Sequence, residues 1–306
     1  MSTADSMKLN LSAGLASVAI AGVMVGLKLW AYGTTGSLSV AASLADSAMD
    51  LMVSLGAMAA LIYAAKPADE DHAFGHSSAE DLAALGQAFF VLISAGVITW
   101  AAVTRLLGPA EPHLVGEGEG MLVMGVSVAL TVALVWWQGR VAKRTGSRVV
   151  AADRLHYMGD LLPNMGAIIS LWASKSFGLG SIDSVVALTA AAIMAVGALR
   201  IGKGAFDALM DRTADPAIVT GIAAIADTWP GVRGHHDLKT RMAGSKVFVN
   251  LHIELDGEQS LRDAHAIGAS LRRAILQAYP QTDVIIHKDV AGSAETALHH
   301  KPAPPN

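Results

Sequence analysis

The sequence predicts an α-helical membrane protein with six transmembrane helices, followed by a small α+β ferredoxin-like domain in the cytoplasm. Three observations carry that prediction. Of the 306 residues, 53% are hydrophobic and only 16% are charged, against about 25% charged in ordinary soluble domains. The charges are unevenly spread: residues 1–211 hold 12 Lys/Arg and 16 Asp/Glu, while residues 212–306 hold 10 of each. The excess acid therefore lies in the apolar part. Finally, Val247-Phe248-Val249-Asn250-Leu251-His252-Ile253-Glu254 alternates with the period of a half-buried strand, which no membrane helix would show.

A helix needs about 20 apolar residues to cross the hydrocarbon layer. Six stretches meet or approach this, at 10–32, 38–65, 82–107, 119–142, 149–174 and 181–209. The first is too long for a signal peptide and reads as a retained helix, where Gly22-x-x-x-Gly26 would permit close helix contact. The fourth is uncharged from Met121 to Trp137, and Trp136 and Trp137 suit an interfacial anchor. Pro163 is placed to kink the fifth. With the N-terminus inside, the inner segments carry Lys8, Lys66, Arg140, Lys143, Arg144, Arg148, Arg200 and Lys203, against Arg105 and Lys175 outside. The positive-inside rule then puts both termini in the cytoplasm.

The soluble part, 212–290, reads as helix 215–228, strands 232–242 and 246–255, helix 260–278 and strand 283–288. That order is compatible with a ferredoxin-like sheet. The Pro-rich tail 291–306, with His299 and His300, reads as disordered.

The composition also excludes chemistry. With no cysteine, there are no disulfide frameworks, thiolate zinc sites, iron–sulfur clusters or cysteine nucleophiles. A metal would have to be held by His, Asp and Glu. Disorder and nucleic-acid binding are excluded by the apolar bulk of the chain.

Polar residues at membrane depth are the strongest functional signal. Asp46 and Asp50 lie four residues apart in the second helix, on one face. His156 and Asp160 repeat the spacing in the fifth. Facing one another, these residues form a four-ligand N/O set suited to zinc or a similar divalent ion. The competing reading is helix packing, a cap or a buried ion pair, with Arg154 available to neutralise Asp153 or another carboxylate. An ionisable residue in the bilayer costs about 2.5–3.5 kcal/mol even on insertion scales, which favours a functional role.

Outside the membrane, Asp69, His72 and His76 have the i, i+3, i+7 spacing of one helical face and could bind a metal. The same segment reads equally well as an acidic solvated loop shaped by Pro67 and Gly75. In the soluble part, His236, His252, His265, His287 and Asp289 fall on strand edges or on its second helix, a density that tilts towards metal. His235 would point to the opposite face from His236.

Together these patterns resemble the cation diffusion facilitator family, in its bacterial zinc and ferrous-iron efflux branch, from about residue 8 to 290. The resemblance rests on Asp46-x3-Asp50, His156-x3-Asp160, Pro67-Ala-Asp-Glu-Asp-His-Ala-Phe-Gly-His76, His236-Asp-Leu-Lys-Thr-Arg241 and Val284-Ile-Ile-His-Lys-Asp289. It implies a homodimer in the inner membrane, with Asp46, Asp50, His156 and Asp160 as the transport site. It further implies a cytoplasmic loop site at Asp69, His72 and His76, and a binuclear site bridging the C-terminal domains at His236, His252, His265, His287 and Asp289. Relatives carry a Lys where this chain has Ser78, so the charge interlock that would use Asp211 lacks its base here.

The expected function is therefore metal efflux by metal/proton antiport, with Zn2+ favoured and Fe2+, Cd2+, Co2+ and Ni2+ also fitting three oxygens and one nitrogen. A membrane-anchored metal sensor would leave the intramembrane set unexplained. An intramembrane metallohydrolase would need a base and an open coordination position, usually as His-Glu-x-x-His, which is absent.

Overall fold

The computed structural model describes residues 3–35, 38–107, 119–159, 161 and 182–292. The chain divides into two compact units, Met7–Phe206 and Asp207–Asn306 together with Met1–Ser6. The first is built from α1 (Thr3–Thr35), α2 (Leu38–Ala64), α3 (Ser78–Leu107), α4 (Glu119–Thr145), α5 (helical residues 148–159) and α6 (Ile182–Leu209).

Four helices among the described residues are long and apolar enough to cross a membrane, over Asp5–Trp30, Ser47–Ala64, Ser78–Thr104 and Ala187–Leu209. The fourth expected segment is helical over the 27 residues of α4. Of the fifth, only 149–159 and 161 are described, so Asp160 and Pro163 lie outside the described residues, as do 293–306 of the tail.

Helix ends follow local chemistry. Glu80 and Asp81 lie in the first turn of α3, and Lys143 and Arg144 in the last turn of α4, each complementing the helix dipole. Gly146, at φ 72°, closes α4 by donating its N–H to Ala142 O at 2.9 Å.

Close packing occurs elsewhere than the glycine pair predicts. Among the described residues, nothing lies within 4 Å of a Cβ built on Gly22 or Gly26. The tight approach is at Gly14, where Met58 Sδ of α2 would be 2.9 Å from an added Cβ. Helices α5 and α6 approach in the same way, through Gly159 against Met194 and Gly197 against Leu155.

The second unit continues with α7 (Pro216–Asp227), β1 (Gly234–Ala243), β2 (Lys246–Leu255), α8 (Leu261–Ala278) and β3 (Thr282–Val290). Every element expected in 212–290 is present, with ends shifted by no more than about two residues. Asp215 caps α7 through Ala217 N, with Pro216 in its first turn, and Ser260 caps α8 through Asp263 N. The sheet has three strands in the order β1-β2-β3; β1 and β2 are antiparallel, while β3 lies parallel to β2. Its parallel pairing requires the crossover that α8 supplies.

Val247, Val249, Leu251, Ile253 and Leu255 of β2 pack with Ile222 of α7 and Leu271 and Ile275 of α8. Each such large side chain contributes about 1.5–3 kcal/mol by leaving water. Because side chains alternate along a strand, His252 belongs to the opposite face.

Candidate metal centres

The membrane-embedded acids are positioned by α2 and α5. Asp50 Oδ1 lies 3.2 Å from His156 Nε2, with both side chains largely shielded from solvent. Asp46 stands one helical turn before Asp50 on α2. Phe90 of α3 packs edge-on to the His156 ring at 5.7 Å. The neighbouring Tyr157 is tied across the helices by a 2.8 Å hydrogen bond between its hydroxyl and that of Ser54. An imidazole nitrogen and a carboxylate oxygen at this separation can share one divalent cation.

The loop cluster assembles without a helix. Residues 67–77 are irregular, yet Asp69, His72 and His76 each offer a ligand atom within 4.8 Å of the others. A side-chain-to-backbone bond makes this possible: Asp69 Oδ1 accepts the N–H of His72, three residues on, at 2.7 Å and stands 3.2 Å from His72 Nδ1. Gly75 adopts φ 84° and donates to His72 O at 2.9 Å, which swings His76 back until its Nε2 is 3.3 Å from Asp69 Oδ2. The backbone hydrogen bond from His72, aided by its side-chain hydrogen bond and by electrostatic attraction to His76 and His72, holds the Asp69 carboxyl below its ordinary pKa. The His76 side chain is buried against Tyr63, and its Nδ1 has no hydrogen-bond partner among the described residues. The helical spacing noticed in the sequence is thus coincidental, while the convergence of the three residues is real.

On the sheet, His236, His252 and His287 occupy directly paired positions on β1, β2 and β3, forming one row across the strands. Two residues along β3, Asp289 gathers them. Its Oδ2 lies 2.9 Å from His252 Nδ1 and 3.3 Å from His236 Nε2, and its Oδ1 lies 3.1 Å from His287 Nε2. His236, His252 and Asp289 present ligand atoms within 4.8 Å of one another, a N/O donor set that fits zinc and similar ions. A bulge follows His236 on β1, and Asp237 there takes the left-handed φ of 50°. His235 faces the other way and meets Asp227 at 2.8 Å. His265 is exposed on α8 and stands outside this cluster.

Residues 14–210 match the cation efflux transmembrane domain, and residues 214–290 match the cation efflux protein cytoplasmic domain. The chain belongs to the cation efflux family. It is 38% identical over 277 residues to the cation-efflux pump FieF of Klebsiella pneumoniae, covering 90% of this chain and 91% of that protein. It is 37% identical over 278 residues to FieF of Serratia proteamaculans, covering 91% and 92%. Among solved structures, the metal-bound C-terminal domain of the CzcD transporter from Thermotoga maritima matches with a TM-score of 0.25 and 30% identity, over 26% of this chain and 92% of that one. This cation efflux protein is accordingly a multi-pass membrane transporter of cations.

Several polar residues of this cation efflux protein escape a reading of the sequence. Arg154 does not neutralise Asp153; its Nε donates to Val135 O at 3.2 Å. Asp153 is instead held by Ser17 and Gln138. Lys28 of α1 donates to Ser47, between the two aspartates of α2, at 2.6 Å. Asp211, which lacks a basic partner at Ser78, meets Arg241 Nη1 at 3.3 Å. At the start of α3, Glu80 accepts from Asn10 at 3.3 Å, and Asp81 pairs with Arg148 of α5 at 2.6 Å. None of these partners shares a sequence period with the other, so no spacing rule finds them.

Proposed function

We propose that this chain exports a divalent metal cation in exchange for protons by alternating access, with Zn2+ the favoured substrate. The observation that carries this reading is the approach of Asp50 to His156 between two helices of the membrane unit. Asp46 and Asp160 complete the set as the third and fourth ligands. Four such groups repel or hold protons when empty, and a divalent cation displaces those protons because its ligands must be deprotonated. Opening to the far side then lets protons return and the metal leave.

The protein lies in the bacterial inner membrane with both termini in the cytoplasm, and works as a homodimer. In this reading the loop cluster of Asp69, His72 and His76 receives cytoplasmic metal. The sheet cluster of His236, His252, His287 and Asp289 is a regulatory or structural metal site. His265, exposed on α8, joins that site from a second copy of the chain.

The test uses purified protein in vesicles that contain a zinc-sensitive dye. An imposed pH gradient drives Zn2+ accumulation, and Asp50→Ala abolishes it. Absence of flux in the parent, or undiminished flux in Asp50→Ala, would overturn the proposal.

A further inference from the structure

Asp153 sits on α5 three residues before His156, so the two share a helix face about 4.5 Å apart along the axis. It is 3% exposed, buried within the membrane unit. The groups around it can be named element by element. From α1, Ser17 Oγ donates to Asp153 Oδ2 at 2.5 Å; from α4, Gln138 Nε2 donates to the same oxygen at 2.7 Å and to Ser17 Oγ at 2.9 Å. From α2, apolar Ala57 and Leu61 line the same small cleft as Asp153. The ionisable groups facing it are His156 of its own helix and Asp50 of α2. Tyr157 turns its hydroxyl to Ser54 and Ser17 O, and Arg154 is turned to Val135 O. Among the described residues no Lys or Arg bonds to Asp153, and its Oδ1 is buried without a hydrogen-bond partner.

A carboxylate held only by neutral donors in a water-poor site is costly to ionise. Ser17 makes both protonation states tenable. Its hydroxyl can donate to the charged carboxylate, or turn to Ala13 O, 3.1 Å away, and accept from a protonated Asp153. A carboxyl built for one fixed state would not need a partner that can serve as donor or acceptor.

We propose that Asp153 is a proton-binding carboxyl of this transporter, coupled electrostatically to the metal site one helical turn away without being a metal ligand. The inference rests on the antiport reading and adds a proton carrier to it. Arrival of a divalent cation at Asp50 and His156 favours the charged carboxylate, so the proton leaves Asp153 Oδ for the aqueous side as H+. Departure of the metal lets a proton return. No other bond forms or breaks.

The test compares parent, Asp153→Asn and Asp50→Ala as full-length protein, using Zn2+ as the probe. Protons released per Zn2+ bound are counted with an indicator dye in weakly buffered detergent solution, and flux is measured in vesicles across a pH series. The cytoplasmic clusters contribute equally to parent and variant, so they cancel in the difference. Asp153→Asn is expected to bind Zn2+ but to release about one proton fewer, with a flatter pH profile of flux. An unchanged proton count and pH profile would overturn the inference, while loss of flux in Asp50→Ala still upholds the antiport reading. If Asp153→Asn fails to fold, Ser17→Ala decides. A displaced pH midpoint of flux supports the inference, and an unmoved one in folded protein overturns it.

Discussion

Asp50 of α2 and His156 of α5 meet at 3.2 Å, more than a hundred residues apart in the chain and largely shielded from solvent. Bringing a carboxylate and an imidazole together there has a solvation cost that a bound cation or a shared proton can offset.

Loss of either partner should therefore abolish transport rather than merely weaken the fold. Asp50→Ala and His156→Ala are expected to reduce Zn2+ flux by more than about tenfold, the lower bound seen even when an outer-shell partner of a ligand is removed. Thermal unfolding in detergent checks that the variants remain folded.

The Asp69 carboxylate holds the loop cluster by accepting the His72 N–H. Replacing Asp69 with Ala should remove this bond and lower the protection of the His72 amide against hydrogen exchange. Because the Asp69 carboxyl is held below its ordinary pKa of 3.8, this bond is fully supported above that pH. Its contribution is lost only as pH falls through the lowered folded value. Amide exchange of the parent across acid pH reads this directly.

Gly75→Ala tests the same loop from the backbone side. At φ 84° an added Cβ costs about 1–2 kcal/mol. Zn2+ bound by the loop, counted by equilibrium dialysis against the parent, should fall without loss of the helical circular dichroism signal.

Asp289 is the shared partner of His236, His252 and His287. Zn2+ at 100 times its dissociation constant should stabilise the parent's cytoplasmic unit by about 2.7 kcal/mol. Asp289→Ala should lose most of that increment while unfolding normally without metal. Differential scanning calorimetry of the full-length protein measures both.

Ile253→Ala leaves the histidine row in place but opens the core beneath it. Ile253 is fully buried between the sheet and its helices, so the expected cost is about 2–5 kcal/mol. The unfolding midpoint of the cytoplasmic unit should drop in denaturant, with little change in Zn2+ affinity of the folded protein.

The elements of the cytoplasmic unit were legible because each is written in local chemistry. Strand β2 alternates, α8 begins at a Ser cap, and α7 begins at Asp215-Pro216. The histidine row was only half legible. Alternation separates His235 from His236, but nothing local says that His236, His252 and His287 share one register across three strands. The loop cluster shows the reverse. Its spacing suggested a helical face, whereas Gly75 and the bond from the His72 N–H to Asp69 bring the same three residues together in irregular chain. Gly22 and Gly26 suggested close packing that Gly14 provides instead, because a small residue marks an interface only where another helix arrives.

By itself the sequence determined which segments are apolar enough for a membrane, where the charged domain begins, and which residue types can hold a metal when cysteine is absent. Hydrophobicity, capping and strand alternation act over a few residues, so they can be read along the chain. Tertiary structure alone decided that Asp50 finds His156, that Asp289 gathers three histidines, and that Asp153 leaves Arg154 for Ser17 and Gln138. Those outcomes depend on which helix faces and strand registers pack together. Burial then makes each polar group take whatever partner the packing supplies.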